Sequence, residues 1–326
     1  MIICRTPLRV SFVGGGTDFP EFFAEHGGAV LATAIDKYIY HSVSHFPSEL
    51  FDYSIRLAYR KVECVKSIEE IEHAPFREVL RHFGIERDVE ISLSADLPSF
   101  SGLGSSSSFT VGLINALSAY QGHFIPKGEL ASLAIHVERD ILQEPTGFQD
   151  QTVAAYGSLN LIEFSGSDRF VVTRVAISGS KLQELDRSLM LFFTGFTRRA
   201  TDLEKQKIER LGAITGNLKR MLGLVEMAHR LLTGNGSLTA FGEVLDAGWQ
   251  EKRALHPAVS SSAIDRMYRV AREAGALGGK LLGAGGGGFM LLFVPEERQA
   301  AVRKALSGRP EIDFSINAPG SGIIHS

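Results

Sequence analysis

The order of apolar and polar positions gives the chain its elements. It opens on a strand-like run, IICRTPLRVSFV, which halts at three glycines and Thr17-Asp18 before a short helix ending at Gly27-Gly28. AVLATAIDKYIYHSVSHF, FDYSIRLAY and KVECV then carry the β-branched, partly alternating pattern of an antiparallel sheet. SIEEIEHAPFREVLRHFG, with Ser67 ahead of Glu69 and Glu70, is predicted as a capped helical segment interrupted by Pro75 and ended by Gly84. A strand, VEISLSADL, leads into the loop PSFSGLGSSSSF and a helix TVGLINALSAY; KGELASLAIHVERDILQ is an amphipathic helix that stops near Pro145 and Gly147. SLNLIEF and FVVTRVAI close a first unit as strands. RSLMLFFTGF opens a second, followed by a long polar helix region from Ala200 and by helices around LKRMLGLVEMAHRLL, LTAFGEVLDAGWQEKRAL and AIDRMYRVAREAG, before the glycine-rich GALGGKLLGAGGGGFMLLFVP. No internal repeat is visible, and these patterns by themselves support mixed strands and helices.

PSFSGLGSSSSF has the chemistry of an anion site. Gly102 and Gly104, flanking Leu103, permit backbone conformations closed to other residues, while Ser105, Ser106, Ser107 and Ser108 supply hydroxyls where a helix begins. The unpaired N–H groups and the positive end of the helix dipole would both face a phosphate. The competing reading is a plain flexible glycine-serine loop. Its place between two well-patterned elements favours the anion site.

Four other places are candidates for chemistry. Gly14 to Gly16 follow a strand end and form either a tight turn or a close approach of backbone to ligand, with Asp18 aimed at ligand hydroxyls. Arg9 sits inside the alternating strand LRVSF, where a guanidinium requires water, a carboxylate or a phosphate. Glu138 on a helix and Asp150 just past the following turn could both project toward the serine loop, or be ordinary solvated carboxylates. Arg198 and Arg199 follow a strand and either cap a solvated helix face or grip a phosphate bidentately; Arg77, Lys252 and Arg253 are rivals for that grip.

Composition narrows the class. At 326 residues, 44% hydrophobic and 22% charged, the chain is expected to be a globular protein of two domains. A formal net charge of −3 gives no field for attracting nucleic acid or anionic membranes, so an anionic ligand must be held locally. Two cysteines, Cys4 and Cys64, cannot build a disulfide framework or zinc cluster and are read as packing residues of a reducing compartment. With arginines where a signal peptide needs apolar residues and no membrane-length apolar run, the cytoplasm is the expected location.

The second glycine cluster, Gly283 to Gly288, matches the dinucleotide pattern formally but precedes the strand-like FMLLFV instead of a helix, so the dinucleotide-binding reading fails. A Walker A loop also fails, because Leu281 follows Lys280 and Ala274 stands at the first glycine position. Taken in order, PLRVSFVGGGTD, PSFSGLGSSSSF with the later GFQDQ, and KLLGAGGGGF resemble the three motifs of the GHMP small-molecule kinases, over nearly the whole chain. Within that superfamily the chain is most similar to the D-glycero-D-manno-heptose 7-phosphate kinases: GGGTD departs from the galactokinase GEHTD, and TGFTRRA, WQEKRAL and GALGGKLLGAGGGGF look like that group's segments. Fucokinase-type enzymes share some of these features.

The resemblance implies an α+β, two-domain fold, with a ribosomal-protein-S5-like domain over 1–180, a ferredoxin-like domain over 181–326 and the site in the cleft between them. It implies phosphorylation by ATP of the anomeric hydroxyl of heptose 7-phosphate, giving the 1,7-bisphosphate and ADP for heptose glycoconjugate synthesis. Gly102 to Ser108 would wrap the ATP phosphates, Ser106 and Glu138 would ligate Mg²⁺, Asp150 would be the catalytic aspartate, and Arg9 would hold it ionised or stabilise the moving phosphoryl group. Gly15, Gly16, Thr17 and Asp18 would bind the sugar, Arg198 and Arg199 its distal phosphate, and Gly285 and Gly286 would close over the site. The partner is a small-molecule sugar phosphate, with neither nucleic acid nor membrane, and a homo-oligomer is left open. A neutral-sugar 1-kinase and a silent sugar or nucleotide sensor are the competing functions.

Overall fold

The computed structural model describes residues 1–99, 101–196 and 201–326. Strand β1 (Ile2–Val13) pairs antiparallel with β2 (Gly28–His45), across a turn and the short helix α1 (Pro20–His26). The β1–β2 register shifts at Pro7/Leu8 and again between Ser11 and Val13. Pro7 has no N–H to give a ladder, and such irregularities re-aim the side chains that follow. Here Arg9 follows.

β3 (Ile55–Ala58) and β4 (Val62–Val65) form a hairpin; α2 (Ala74–His82) carries Pro75 in its first turn. Pro75 therefore starts the helix, where its missing N–H costs nothing, instead of interrupting one. β5 (Val89–Ala95), α3 (Ser105–Tyr120), α4 (Lys127–His136) with a π-helical continuation Val137–Ile141, and α5 (Gln149–Tyr156) follow, then β6 (Leu159–Ser165) and β7 (Arg169–Arg174). β2 is long enough to serve two partners, β6 along Gly28–Thr33 and β5 along Ile39–His45; β3 pairs β5 in parallel, the one departure from the antiparallel expectation in this sheet. Helix α3, buried along most of its length, packs on the sheet, with Gly112 fitted against His41 and Thr6, where a Cβ would lie 2.7 Å from both.

After α6 (Gly179–Arg187) comes β8 (Leu189–Phe193), then α7 (Thr201–Glu209), α8 (Leu211–Thr233), α9 (Thr239–Leu255), α10 (Ser262–Glu273), β9 (Gly278–Leu281), β10 (Phe289–Phe293), α11 (Glu296–Ala305) and β11 (Glu311–Ile312). These strands make an antiparallel sheet in the order β11-β8-β10-β9. β10 is buried at every position, as its unbroken apolar run requires. The last strand, β12 (Gly322–His325), returns to pair with β1, so the chain's end lies in the first sheet. The two sheets share one apolar core: Phe12 of β1 meets Phe241 of α9 edge-on at 5.4 Å, and Phe241 meets Phe293 of β10 at 6.0 Å. This α+β architecture is the expected one. Cys4 packs inside it, whereas Cys64 is exposed on the edge strand β4. Among the described residues no helix is long and apolar enough to cross a membrane.

Candidate active site

β1 carries Arg9 into the interior, 4% exposed, where an unpaired guanidinium could not persist. Its Nε and Nη2 donate to Oδ1 and Oδ2 of Asp150, each at 2.7 Å, and its Nη1 donates to the Gly102 carbonyl at 2.5 Å. The backbone N–H of Arg9 also donates to the Leu103 carbonyl at 3.0 Å, so the strand pins the serine loop. Asp150 lies in the first turn of α5, where the helix dipole favours a carboxylate.

Both residues line a cavity of about 870 Å³ between the two sheets. The serine loop forms one wall. Gly104 takes a left-handed φ of 74°, and a Cβ there would lie 3.0 Å from Arg9 Cγ and 3.3 Å from Asp150 Oδ2. No side chain caps α3, so its first N–H groups keep the donor capacity that an anion needs. Gly102, Gly104, Ser105, Ser106 and Ser107 line the cavity. The side chains of Leu103 and Ser108 turn away from it: Leu103 is packed in the core, and Ser108 donates to the Pro7 carbonyl at 2.8 Å, tying α3 to β1. Farther along the wall, Tyr59, Leu93, Leu97 and Phe109 offer an apolar surface.

Glu138 sits in the π-helical stretch and is 1% exposed. Its Oε2 accepts from Ser107 Oγ at 2.9 Å and Gln151 Nε2 at 2.5 Å, while Oε1 has no hydrogen-bond partner. Burial, then the nearby Glu144 charge, pushes its carboxyl up to about 8. Ser107 is thus the hydroxyl that donates to Glu138, and Ser106, expected beside Glu138, lines the same cavity. A buried carboxylate with a free oxygen behind a serine hydroxyl fits a hard divalent cation, which needs only one or two carboxylates when phosphate and water complete its shell.

Asp18 is fully buried yet borders the cavity, accepting from Gly16 N at 2.8 Å and Gln149 N at 3.2 Å. Burial, against those two N–H donors and with the Asp150 charge adding, raises it to about 6. Gly147 is required beside it, because a Cβ there would fall 1.9 Å from Asp18 Oδ2. Gly15 and Gly16 also border the cavity. Thr17, expected on the sugar, turns inward: its hydroxyl donates to the Gly14 and Ala29 carbonyls at 2.8 Å each, locking the turn.

The second sheet supplies the opposite wall. Gly283 packs on the serine loop so closely that a Cβ on it would lie 2.5 Å from Gly102 Cα, and one on Gly288 would lie 2.2 Å from the Ser101 carbonyl. The GAGGGG glycines therefore allow two loops to touch. Gly285 borders the cavity, whereas Gly286 donates its N–H to the Val259 carbonyl at 2.9 Å. Three buried lysines reach the same wall: Lys207 of α7, Lys252 of α9 and Lys280 of β9. Lys207 and Lys280 were not among the candidates, although Lys280 opens the motif KLLGAGGGGF; a lysine inside the buried strand GGKL was the available signal. Of the rivals for a distal phosphate, Lys252 lines the cavity, while Arg77 bonds Glu78 and the Ile71 carbonyl and Arg253 pairs with Asp265. Arg198 and Arg199 lie outside the described residues.

Two family models match the chain, the GHMP kinases N terminal domain over residues 69–158 and the GHMP kinases C terminal over residues 227–311. The chain is 30% identical over 329 residues to the D-glycero-alpha-D-manno-heptose 7-phosphate kinase of Campylobacter jejuni subsp. jejuni serotype O:2, covering 97% of this chain and 96% of that protein. It is 26% identical to a Thermotoga maritima galactokinase over 89% of this chain and 88% of that protein. In fold it is similar to the crystal structure of a D-glycero-D-manno-heptose 1-phosphate kinase from Bacteroides thetaiotaomicron, with a TM-score of 0.80, 24% identity and 100% of both chains covered.

Proposed function

The chain belongs to the GHMP kinases, an ATP-dependent family, and from that premise we propose that it is a sugar kinase that phosphorylates the anomeric hydroxyl of D-glycero-D-manno-heptose 7-phosphate. The products would be the 1,7-bisphosphate, a precursor for heptose glycoconjugates, and ADP. The observation that carries the reading is the Arg9–Asp150 pair set against the Gly102 carbonyl, at the mouth of an uncapped helix, in one cavity.

Phosphoryl transfer demands positioning and charge neutralisation more than covalent chemistry by the protein. The N–H groups from Gly102 to Ser107 receive the triphosphate, and the apolar stretch around Leu97 and Phe109 suits a nucleobase. Glu138 with Ser106 and Ser107 would hold Mg²⁺, which would neutralise phosphate charge. Asp150, fixed by two hydrogen bonds from Arg9, orients the anomeric hydroxyl and takes its proton. Arg9 fixes the direction in which that carboxylate points. Asp18, held by Gly16 and Gln149, accepts from other sugar hydroxyls, and Arg198 and Arg199 remain our choice for the distal phosphate.

ADP release measured with heptose 7-phosphate, unphosphorylated heptose, galactose and fucose tests the reading. Turnover is expected with heptose 7-phosphate above all. Turnover confined to neutral sugars would replace it with a neutral-sugar 1-kinase, and binding without ADP release from any sugar would make the protein a sensor.

A further inference from the structure

Among the described residues five cations line the cavity, the exposed Arg60 and four buried ones, and two of the buried four form no ion pair. Arg9 from β1 is neutralised by Asp150, and Lys207 from α7 is paired with Glu204 at 3.2 Å and donates to the Ala284 carbonyl at 2.7 Å. Lys252, from α9, donates to the carbonyls of Leu281, at 2.9 Å, and Gly283. Lys280, from β9, donates to the Phe12 carbonyl at 3.0 Å. Both are thus held by carbonyl oxygens, which fix an ammonium without cancelling its charge. Both are buried, at 6% and 4% exposure, where an uncompensated charge is costly. Such a cost is tolerated where an anion will arrive.

Their placement identifies the anion. The carbonyl holding Lys252 belongs to Gly283, the residue packed on Gly102, and the Gly102 carbonyl accepts from Arg9. Lys280 feels the charges of both Arg9 and Asp18. The pair therefore spans from the phosphate loop to the sugar side of the cavity that Asp150 also lines. Resting on the kinase reading above, we propose that Lys252 and Lys280 clamp the phosphoryl group as it passes from nucleotide to sugar, one half of the molecule supplying the serine loop and the other these two ammoniums. In that step the anomeric oxygen bonds to phosphorus, the bond from phosphorus to the bridging oxygen of ADP breaks, and the hydroxyl proton goes to Asp150. The lysines keep their protons and donate hydrogen bonds to the phosphoryl oxygens, whose charge is spread widest in transit.

The charged groups acting on Lys280 are Arg9, Asp18, Lys207 and Lys252, and those acting on Lys252 are Lys280, Lys207, Glu204 and Arg9. Burial and then Arg9 bring its ammonium down to about 7, and burial with Lys280 and Lys207 brings Lys252 down as well. A phosphoryl anion would reverse both shifts, so capture of the group should draw in protons.

The test uses the full chain with Lys252→Met and Lys280→Met. For each, kcat is expected to fall roughly 100-fold or more, with KM for ATP and sugar little changed. Binding of ADP with aluminium fluoride and sugar, a planar mimic of the moving group, should weaken by a similar factor while MgADP binding and melting temperature are retained. In wild-type protein already saturated with MgADP, adding aluminium fluoride and sugar at pH 8 should take up protons, seen by calorimetry in buffers of different ionisation enthalpy. This last measurement needs no variant. Near wild-type kcat in both variants, or absence of proton uptake, overturns the proposal. So does a loss confined to KM for the phosphorylated sugar with the unphosphorylated sugar unaffected, which would assign the lysines to the acceptor's own phosphate. Should the wild type turn over a different sugar, the heptose assignment fails by itself, and the same comparison with that sugar still decides the lysines.

Discussion

Arg9 and Asp150, 141 positions apart in the chain, form a two-point ion pair with both contacts at 2.7 Å, and the third nitrogen of Arg9 reaches the carbonyl of Gly102. One side chain thereby sets the orientation of the carboxylate and the place of the phosphate loop. A fault in either should be felt by both.

Asp150→Asn keeps the shape but removes the proton acceptor, and is expected to lower kcat by about 10²- to 10⁴-fold. Isothermal titration should find MgATP binding intact. Wild-type turnover would end the role given to Asp150. Arg9→Met, which leaves Asp150 and the Gly102 carbonyl without their donor, should also cost about 2 kcal/mol in chemical denaturation.

Glu138 links metal binding to pH. Its folded value of about 8 stands above its ordinary 4.5, so the metal-free fold holds a proton that the unfolded chain loses. The stability it contributes is present below pH 4.5 and is lost as pH rises toward 8. Glu138→Gln should therefore raise the melting temperature of the metal-free protein at pH 8 while raising the Mg²⁺ needed for turnover. An unchanged Mg²⁺ requirement would remove Glu138 from the metal site.

His41 predicts the opposite slope. Fully buried on β2 with neither ring nitrogen bonded, it is pushed by burial down to about 3. The unfolded chain binds a proton near pH 6.5 that the fold refuses, so stability is lost as pH falls below 6.5, approaching about 4 kcal/mol near pH 3. His41→Leu should flatten that part of the urea-denaturation profile. An equally steep acid limb in the variant would count against it.

Gly147→Ala places a methyl group against Asp18 Oδ2, which must move. KM for the sugar is expected to rise at least about tenfold, a loss of about 1.4 kcal/mol, with KM for ATP unchanged. Equal losses for both substrates would mean that the whole cavity had shifted, and Asp18 would lose its assignment to the sugar.

Much of the site was legible because its groups lie in contiguous segments. Glycines and serines at a helix start announce an anion site whatever surrounds them, and an arginine inside an apolar strand must have a partner. The residues that turned out to face elsewhere fail for a local reason. Thr17 and Ser108 each have backbone carbonyls within reach of their hydroxyls, so they brace the turn and the helix rather than meet ligand. Ser106 and Ser107 both line the cavity, but they differ by one position, on a helix a rotation of about 100°, and it is the Ser107 hydroxyl that donates to Glu138. Pro75 read as an interruption because sequence does not reveal which residue is first in a helix.

The sequence by itself determined the chemistry of the two glycine loops, the order of the elements and the family, since these depend on residue types at short spacings. Only the tertiary structure decided which distant groups meet. It paired Arg9 with Asp150, laid Gly283 on Gly102, and brought Lys252 and Lys280 to the same cavity from separate elements of the second half. The physical reason is that a buried charge is stable or costly according to what packs against it, and for these residues the neighbours come from across the fold, where no local pattern records them.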